Sequence, residues 1–106
     1  MDIKEQVKNA VNKIIGKISA KKIILFGSIA SGENTNASDI DLCFITDIKD
    51  QRKLEIIREI RRNLIQFLSY PLDILVYDEK EFNERSTLKN TFEYKILRDG
   101  VIVYGQ

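Results

Sequence analysis

The sequence contains no histidine and a single cysteine among its 106 residues. Without histidine, the chain cannot use an imidazole as a general base, and most kinds of zinc site are excluded. One cysteine cannot form a disulfide bond within the chain. Any catalysis must therefore depend on carboxylates, hydroxyls and a metal ion that prefers oxygen ligands.

Long apolar runs and a strong excess of charge are also absent. No stretch approaches the roughly 20 apolar residues of a membrane-spanning helix, and residues 1–19 are amphipathic, which is unlike a signal peptide. Seventeen basic and sixteen acidic residues leave a net charge of +1, so no overall field exists to hold a long polyanion. We expect a cytoplasmic protein whose partners include neither a membrane nor a long nucleic acid.

The length and the hydrophobic periodicity predict a single domain, residues 1–106, of the α+β class: a small mixed β-sheet with helices packed against it. Asp2 is the expected N-cap of the first helix and Ser86 that of the last. The predicted elements, in chain order, are helix 2–19, strand 21–26, a helical turn at 29–32, strand 39–46, helix 51–69, strand 72–77, a short charged segment 78–84, helix 87–97 and strand 101–104.

Two of the predicted helices carry apolar stripes that we expect to be buried. The stripes comprise Leu54, Ile57, Ile60, Leu64, Phe67 and Leu68 in helix 51–69, and Leu88, Phe92, Ile96 and Leu97 in helix 87–97. The opposite face of helix 51–69 is rich in arginine and lysine. Such a face is either a solvated surface or a docking surface for an acidic partner, and the pattern leaves both open.

The most informative stretch is Gly27-Ser28 together with Asp39 and Asp41. The apolar run 22–26 has the length of a buried strand, and Gly27 ends it in a tight turn. Residues 39–46 form the next predicted strand, in which residues two apart share a face. Asp39 and Asp41 should therefore lie on the same side.

Two carboxylates on one strand face raise each other's pKa unless a cation neutralises them. Mg²⁺ suits such a position, because it is usually held by one or two carboxylates together with substrate phosphates. The backbone N–H groups at Gly27 and the Ser28 hydroxyl could hold a triphosphate against that ion. The sequence predicts that phosphate and Mg²⁺ meet between two strand ends.

These residues resemble a known family. Gly27-Ser28, ten intervening residues and Asp39-x-Asp41 are similar to the signature of the DNA polymerase beta-like nucleotidyltransferases, and the short chain resembles their minimal (MNT) branch. Residues 70–77, with Asp73, resemble the strand that carries the family's third carboxylate, and residues 96–104 resemble the common MNT ending. One departure is Ser31, which stands where many MNT proteins have an arginine.

The resemblance implies an enzyme that uses Mg²⁺, two ions in all, to direct a hydroxyl at the α-phosphorus of ATP. It implies Asp39, Asp41 and Asp73 as catalytic and metal-binding residues, and Gly27 and Ser28 as nucleotide-binding residues. It further implies an MNT-type antitoxin that adenylylates a HEPN-type toxin. Two alternatives stay open: a nucleotidyltransferase acting on a small hydroxylated molecule, as antibiotic-modifying relatives do, and a catalytically weak module that masks a partner.

Overall fold

A computed structural model describes residues 2–35, 37–49 and 51–105. Its strands form one sheet in the order β3-β2-β1-β4, in which β1 pairs antiparallel with β2 and β4, while β2 and β3 are parallel. The predicted α+β class with a mixed sheet is confirmed. The elements are α1 (Ile3–Ile14), β1 (Lys22–Phe26), α2 (Gly27–Ser31), β2 (Ile40–Thr46), α3 (Lys53–Leu64), β3 (Leu72–Asp78), α4 (Glu79–Ser86), α5 (Phe92–Asp99) and β4 (Val101–Tyr104).

Helices cover both faces of this sheet. Because side chains alternate along a strand, β1 and β2 contribute buried residues to two separate apolar clusters. The larger cluster joins the sheet to α1 and α3, and the smaller one joins it to α4 and α5 through Phe82 and Ile96. Cys43 belongs to the smaller cluster, where burial and then the charge of Glu93 raise the pKa of its thiol to about 12.

The first helix begins as predicted and ends earlier than predicted. Asp2 is its N-cap, since the Asp2 carboxylate accepts a hydrogen bond from the Glu5 backbone N–H at 2.9 Å. The helix ends at Ile14 rather than at residue 19, and Gly16, which has low helix propensity, lies in the turn that follows. Similarly, α3 ends at Leu64, so Phe67 lies beyond the helix and is 41% exposed.

The predicted helix over residues 87–97 begins too early, because residues 87–91 form a turn and α5 starts at Phe92. Thr91 is the N-cap of α5, and its hydroxyl accepts a hydrogen bond from the Tyr94 N–H at 3.1 Å. The charged segment before this turn forms α4, which Asp78 caps. Ser86 is the buried last residue of α4 and not an N-cap. Five residues of the predicted apolar stripes are exposed rather than buried, namely Leu54, Phe67, Leu88, Phe92 and Leu97.

A buried carboxylate joins α5 to the sheet and to α4. Glu93 is only 5% exposed, and it accepts hydrogen bonds from the Tyr77 hydroxyl and from Nε of Arg85, each at 2.6 Å. Burial is the largest influence on its pKa and would raise it, but the hydrogen bonds from Tyr77 and Arg85, a backbone hydrogen bond and the Arg85 charge together lower the pKa below its ordinary value. The Glu93 carboxylate therefore links α5 to β3 through Tyr77 and to α4 through Arg85.

We expect Glu93→Gln to lower the free energy of unfolding at pH 7 by about 2 kcal/mol, because the amide loses the charge that Tyr77 and Arg85 bind. The wild-type advantage should be complete above the ordinary pKa of 4.5 and disappear as pH falls through the lowered pKa of the folded state. Urea unfolding at several pH values measures this. Glu84→Gln, at an exposed position of α4, should change little at any pH; equal effects of the two substitutions would contradict the assignment.

Candidate active site

The sheet register places two of the predicted aspartates side by side. In the parallel pair of β2 and β3, Asp41 lies opposite Asp73, and in the antiparallel pair of β1 and β2 it lies opposite Phe26. Asp39 precedes β2 by one residue and is close enough for its charge to act on Asp41. The carboxylates thus gather where β1 ends and where β2 and β3 begin.

Asp41 is the carboxylate most affected by this arrangement. Its pKa is raised to about 6, first because burial disfavours its charged form, then because of the Asp73 and Asp39 charges and a hydrogen bond shared with Asp73. Asp41 is half-buried, whereas Asp39 and Asp73 are exposed. A positive charge bound beside Asp41 would therefore stabilise its ionised form and offset the repulsion among the three carboxylates.

The carboxylates fit a divalent cation held jointly with a substrate. Within residues 2–35, 37–49 and 51–105, no group of three or more Asp, Glu, His or Cys side chains is arranged to hold a metal ion. The Asp41 and Asp73 pair, however, offers hard oxygen atoms in adjacent positions. Mg²⁺ commonly takes one or two carboxylates and completes its shell with water and phosphate oxygens. The donor set therefore suits a metal ion that arrives with a phosphate.

Gly27 is required by its conformation and by its neighbour. It follows β1 with φ of +78°, in the left-handed region that side chains disfavour. A Cβ at this position would also overlap the Asp41 carboxylate. The turn after β1 can therefore approach Asp41 this closely only because residue 27 has no side chain.

The Ser28 hydroxyl links this turn to the loop that leads into β2. It donates a hydrogen bond to the hydroxyl of Ser38 at 3.1 Å, and the Thr35 N–H donates to the same Ser38 oxygen at 2.8 Å. The Ser31 hydroxyl donates to the backbone carbonyl of Ser28 at 3.1 Å. Sequence reasoning missed the role of Ser38, although this residue begins the Ser-Asp-Ile-Asp run.

A cavity of about 510 Å³ lies beside the turn, a volume within the range of small-molecule sites. Gly27 and Ser28 are in its wall, and the three aspartates are not. Phe26 and Phe92, which pack edge to face with ring centres 5.7 Å apart, form its aromatic part. Its full lining is Phe26, Gly27, Ser28, Ser31, Glu33, Phe92, Lys95, Ile96 and Asp99.

Residues 4–98 match the model of the nucleotidyltransferase domain family, so the chain belongs to that family and is a nucleotidyltransferase. Enzymes of this kind generally use divalent metal ions, which agrees with the donor set described above.

The chain is similar to one curated protein in sequence and to several solved structures in fold. The chain is 31% identical over 102 residues to a Methanocaldococcus jannaschii protein provisionally named a protein adenylyltransferase. This alignment covers 96% of this chain and 94% of the relative. Among solved structures, a provisionally named nucleotidyltransferase from Sulfolobus solfataricus shares the fold with a TM-score of 0.61 and 21% identity, over 96% of this chain and 79% of that one.

Toxin–antitoxin structures also share the fold. One was solved with AMP-PNP and matches with a TM-score of 0.58, and a doubly substituted MntA–HpeT structure matches with a TM-score of 0.63. Both are 17% identical to this chain, and each alignment covers 93% of this chain and 73% of the other.

No helix in the described part of the chain is long and apolar enough to cross a membrane.

Proposed function

We propose that the chain transfers AMP from ATP to a hydroxyl group of a partner protein and releases pyrophosphate. The observation that carries the proposal is the pairing of Asp41 with Asp73 beside the Gly27 turn and a cavity of nucleotide size. The adenylyl group and the protein acceptor are supported by the 31% identical relative, whose provisional name is protein adenylyltransferase.

Each site residue has a role in this proposal. Asp39 and Asp41 would hold Mg²⁺ together with the nucleotide phosphates, and Asp73 would share a metal, with two ions in all. The bound ions would neutralise phosphate charge and lower the pKa of the attacking hydroxyl. Asp73 would accept the hydroxyl proton as an oxygen–phosphorus bond forms at the α-phosphorus and the bond to pyrophosphate breaks. Ser28 and the backbone at Gly27 would donate hydrogen bonds to the phosphates.

The exposure of the site supports a large acceptor. The cavity has a volume suited to one small ligand such as a mononucleotide, whereas Asp39 and Asp73 are open to solvent. An acceptor hydroxyl would then reach Asp73 from outside the cavity. A serine, threonine or tyrosine presented by another protein meets that requirement. A long nucleic acid does not, since the net charge of +1 provides no field to hold it.

We further propose that the partner is a HEPN-type toxin and that this chain, as a single-domain MNT-type antitoxin, neutralises it by adenylylation in the cytoplasm. The likeness of the fold to the two toxin–antitoxin structures supports this assignment. The alternatives are transfer to a small hydroxylated molecule, and masking of a partner without transfer.

One experiment separates these functions. The chain is incubated with Mg²⁺, the product of the gene beside its own, and ATP labelled either at the α-phosphate or at the γ-phosphate. Adenylylation predicts that only the α-label appears on the partner protein and that the γ-label is released in pyrophosphate. Label on a small hydroxylated substrate would favour the first alternative, and an unlabelled complex would favour masking.

A further inference from the structure

Lys95 supplies the positive charge in the wall of the cavity. Of the nine lining residues, Lys95 is basic, Glu33 and Asp99 are acidic, and the others are uncharged. With a net charge of +1, the chain as a whole offers no positive field to replace it. The phosphate groups of a ligand in this cavity would therefore find a basic side chain only at Lys95 among its lining residues.

The helix that carries Lys95 is held so that one face turns to the cavity. Phe92, Lys95, Ile96 and Asp99 all line the cavity, and their spacing of three and four residues places them on one side of α5. Ile96 is 2% exposed and packs in the smaller apolar cluster, while Phe92 contacts Phe26 edge to face. These two anchors fix the rotation of α5 and keep Lys95 toward the cavity.

The ammonium group of Lys95 is available to a ligand. In the part of the chain that the structure describes, no acidic side chain lies within ion-pair distance of it. Asp99, one helical turn away, is bound by Arg98 through two hydrogen bonds of 2.9 Å. The Lys95 charge also acts on Asp99 from a distance, but the hydrogen bonds to Asp99 come from Arg98, so the Lys95 ammonium is not held in an ion pair.

We propose that Lys95 binds the distal phosphates of the nucleoside triphosphate and makes the site prefer a triphosphate to a monophosphate. This inference rests on the proposed function, in which the aspartates and the Gly27 turn bind the nucleotide phosphates and the reaction takes place at the α-phosphorus. The more distant phosphates then extend along the cavity wall. The Ser31 side chain in that wall is short and uncharged, and its hydroxyl is bonded to the Ser28 carbonyl, so it leaves the phosphate charge to Lys95.

Three variants test this role. Lys95→Met keeps the length of the side chain and removes its charge, Lys95→Arg keeps the charge, and Lys89→Ala removes an exposed lysine that lies outside the cavity. The dissociation constants for ATP and for AMP, both with Mg²⁺, are measured by titration calorimetry on the full chain. A charge-assisted phosphate contact predicts that Lys95→Met weakens ATP binding about 10- to 100-fold. AMP binding should change less than about twofold, because AMP has no distal phosphates.

Lys95→Arg should bind ATP nearly as well as wild type, and Lys89→Ala should be unchanged. If Lys95→Met binds ATP as tightly as wild type, or loses ATP and AMP affinity equally, Lys95 does not select the triphosphate and the inference is wrong. These results leave the proposed function standing, since wild type still binds nucleotide. Wild-type protein that binds neither ATP nor AMP overturns the proposed function and this inference together.

Discussion

Asp41→Asn is expected to reduce adenylyl transfer by about 10²- to 10³-fold while the protein stays folded. Asparagine has the shape of aspartate, but it cannot supply the negative charge that would bind Mg²⁺ beside Asp73. Losing such electrostatic stabilisation of the transition state typically costs several kcal/mol in the barrier. Initial rates with α-labelled ATP measure the loss, and circular dichroism verifies the fold. Asp39→Asn should act in the same direction.

A matched control lies at the other end of the same strand. Asp47 follows β2 directly and is exposed, at the end of the strand away from the carboxylate pair. Asp47→Asn should therefore leave the transfer rate unchanged within about twofold, because it contacts no reacting group. If Asp41→Asn transfers as fast as this control, the carboxylate pair is not the catalytic site.

Asp41→Asn should also stabilise the protein in the absence of metal. Because the pKa of Asp41 is raised to about 6 in the folded state, its ionised form destabilises the fold above that pH. Discounted for the solvent that screens this half-buried group, the effect is about 1–2 kcal/mol. Asp41→Asn should then melt higher than wild type at pH 7, and the difference should shrink as pH falls from 6 and vanish below the ordinary pKa of 3.8. An unchanged difference at all pH values would show that Asp41 carries no such penalty.

The second large effect is expected from Gly27→Ala. Alanine at this position has to adopt a left-handed conformation, which costs about 1–2 kcal/mol in stability. Its Cβ would also collide with the Asp41 carboxylate, and the carboxylate is the movable partner because it is the end of a side chain. The collision should therefore displace Asp41 more than it unfolds the protein. We expect transfer to fall at least about 100-fold.

Gly32→Ala provides the comparison. Gly32 also has a left-handed backbone, with φ of +83°, but no atom lies within 4 Å of the position that its Cβ would occupy. The two variants should thus lose similar stability in thermal melts and differ sharply in transfer rate. Equal rates would mean that the close approach of Gly27 to Asp41 has no catalytic importance.

Much of the fold and of the carboxylate arrangement follows from local patterns. The strand that contains Asp41, the apolar run before Gly27 and the cap at Asp2 are all features of short segments, and the structure agrees with each of them, although β2 begins at Ile40 and leaves Asp39 just outside the strand. Asp73 is farther along the chain, but its strand was predicted, and parallel pairing with β2 brings it beside Asp41. The catalytic roles of these residues stay predictions until the variants above are measured.

The missed features depend on contacts between distant segments. The start of α5 is set by Thr91, whose capping signal is weaker in the sequence than the apolar spacing that placed the start of this helix at residue 87. Glu93 is buried because Tyr77 and Arg85, from two other elements, both bind it. Lys95 enters the cavity wall only because α5 packs beside the Gly27 turn. Periodicity within one segment contains no information about such partners.

The distance between the Asp41 and Asp73 carboxylates depends on the register in which β2 and β3 pair. A slip of β3 by one residue would turn Asp73 to the opposite face of the sheet, and a slip by two would move it about 7 Å along β2, away from Asp41. The apolar residues of β3, Ile74 and Val76, oppose such slips because each would leave its buried position. Insertions in the connections before and after α3 should thus be tolerated, whereas a single residue inserted between Asp73 and Ile74 should separate the two carboxylates even in a well-folded protein.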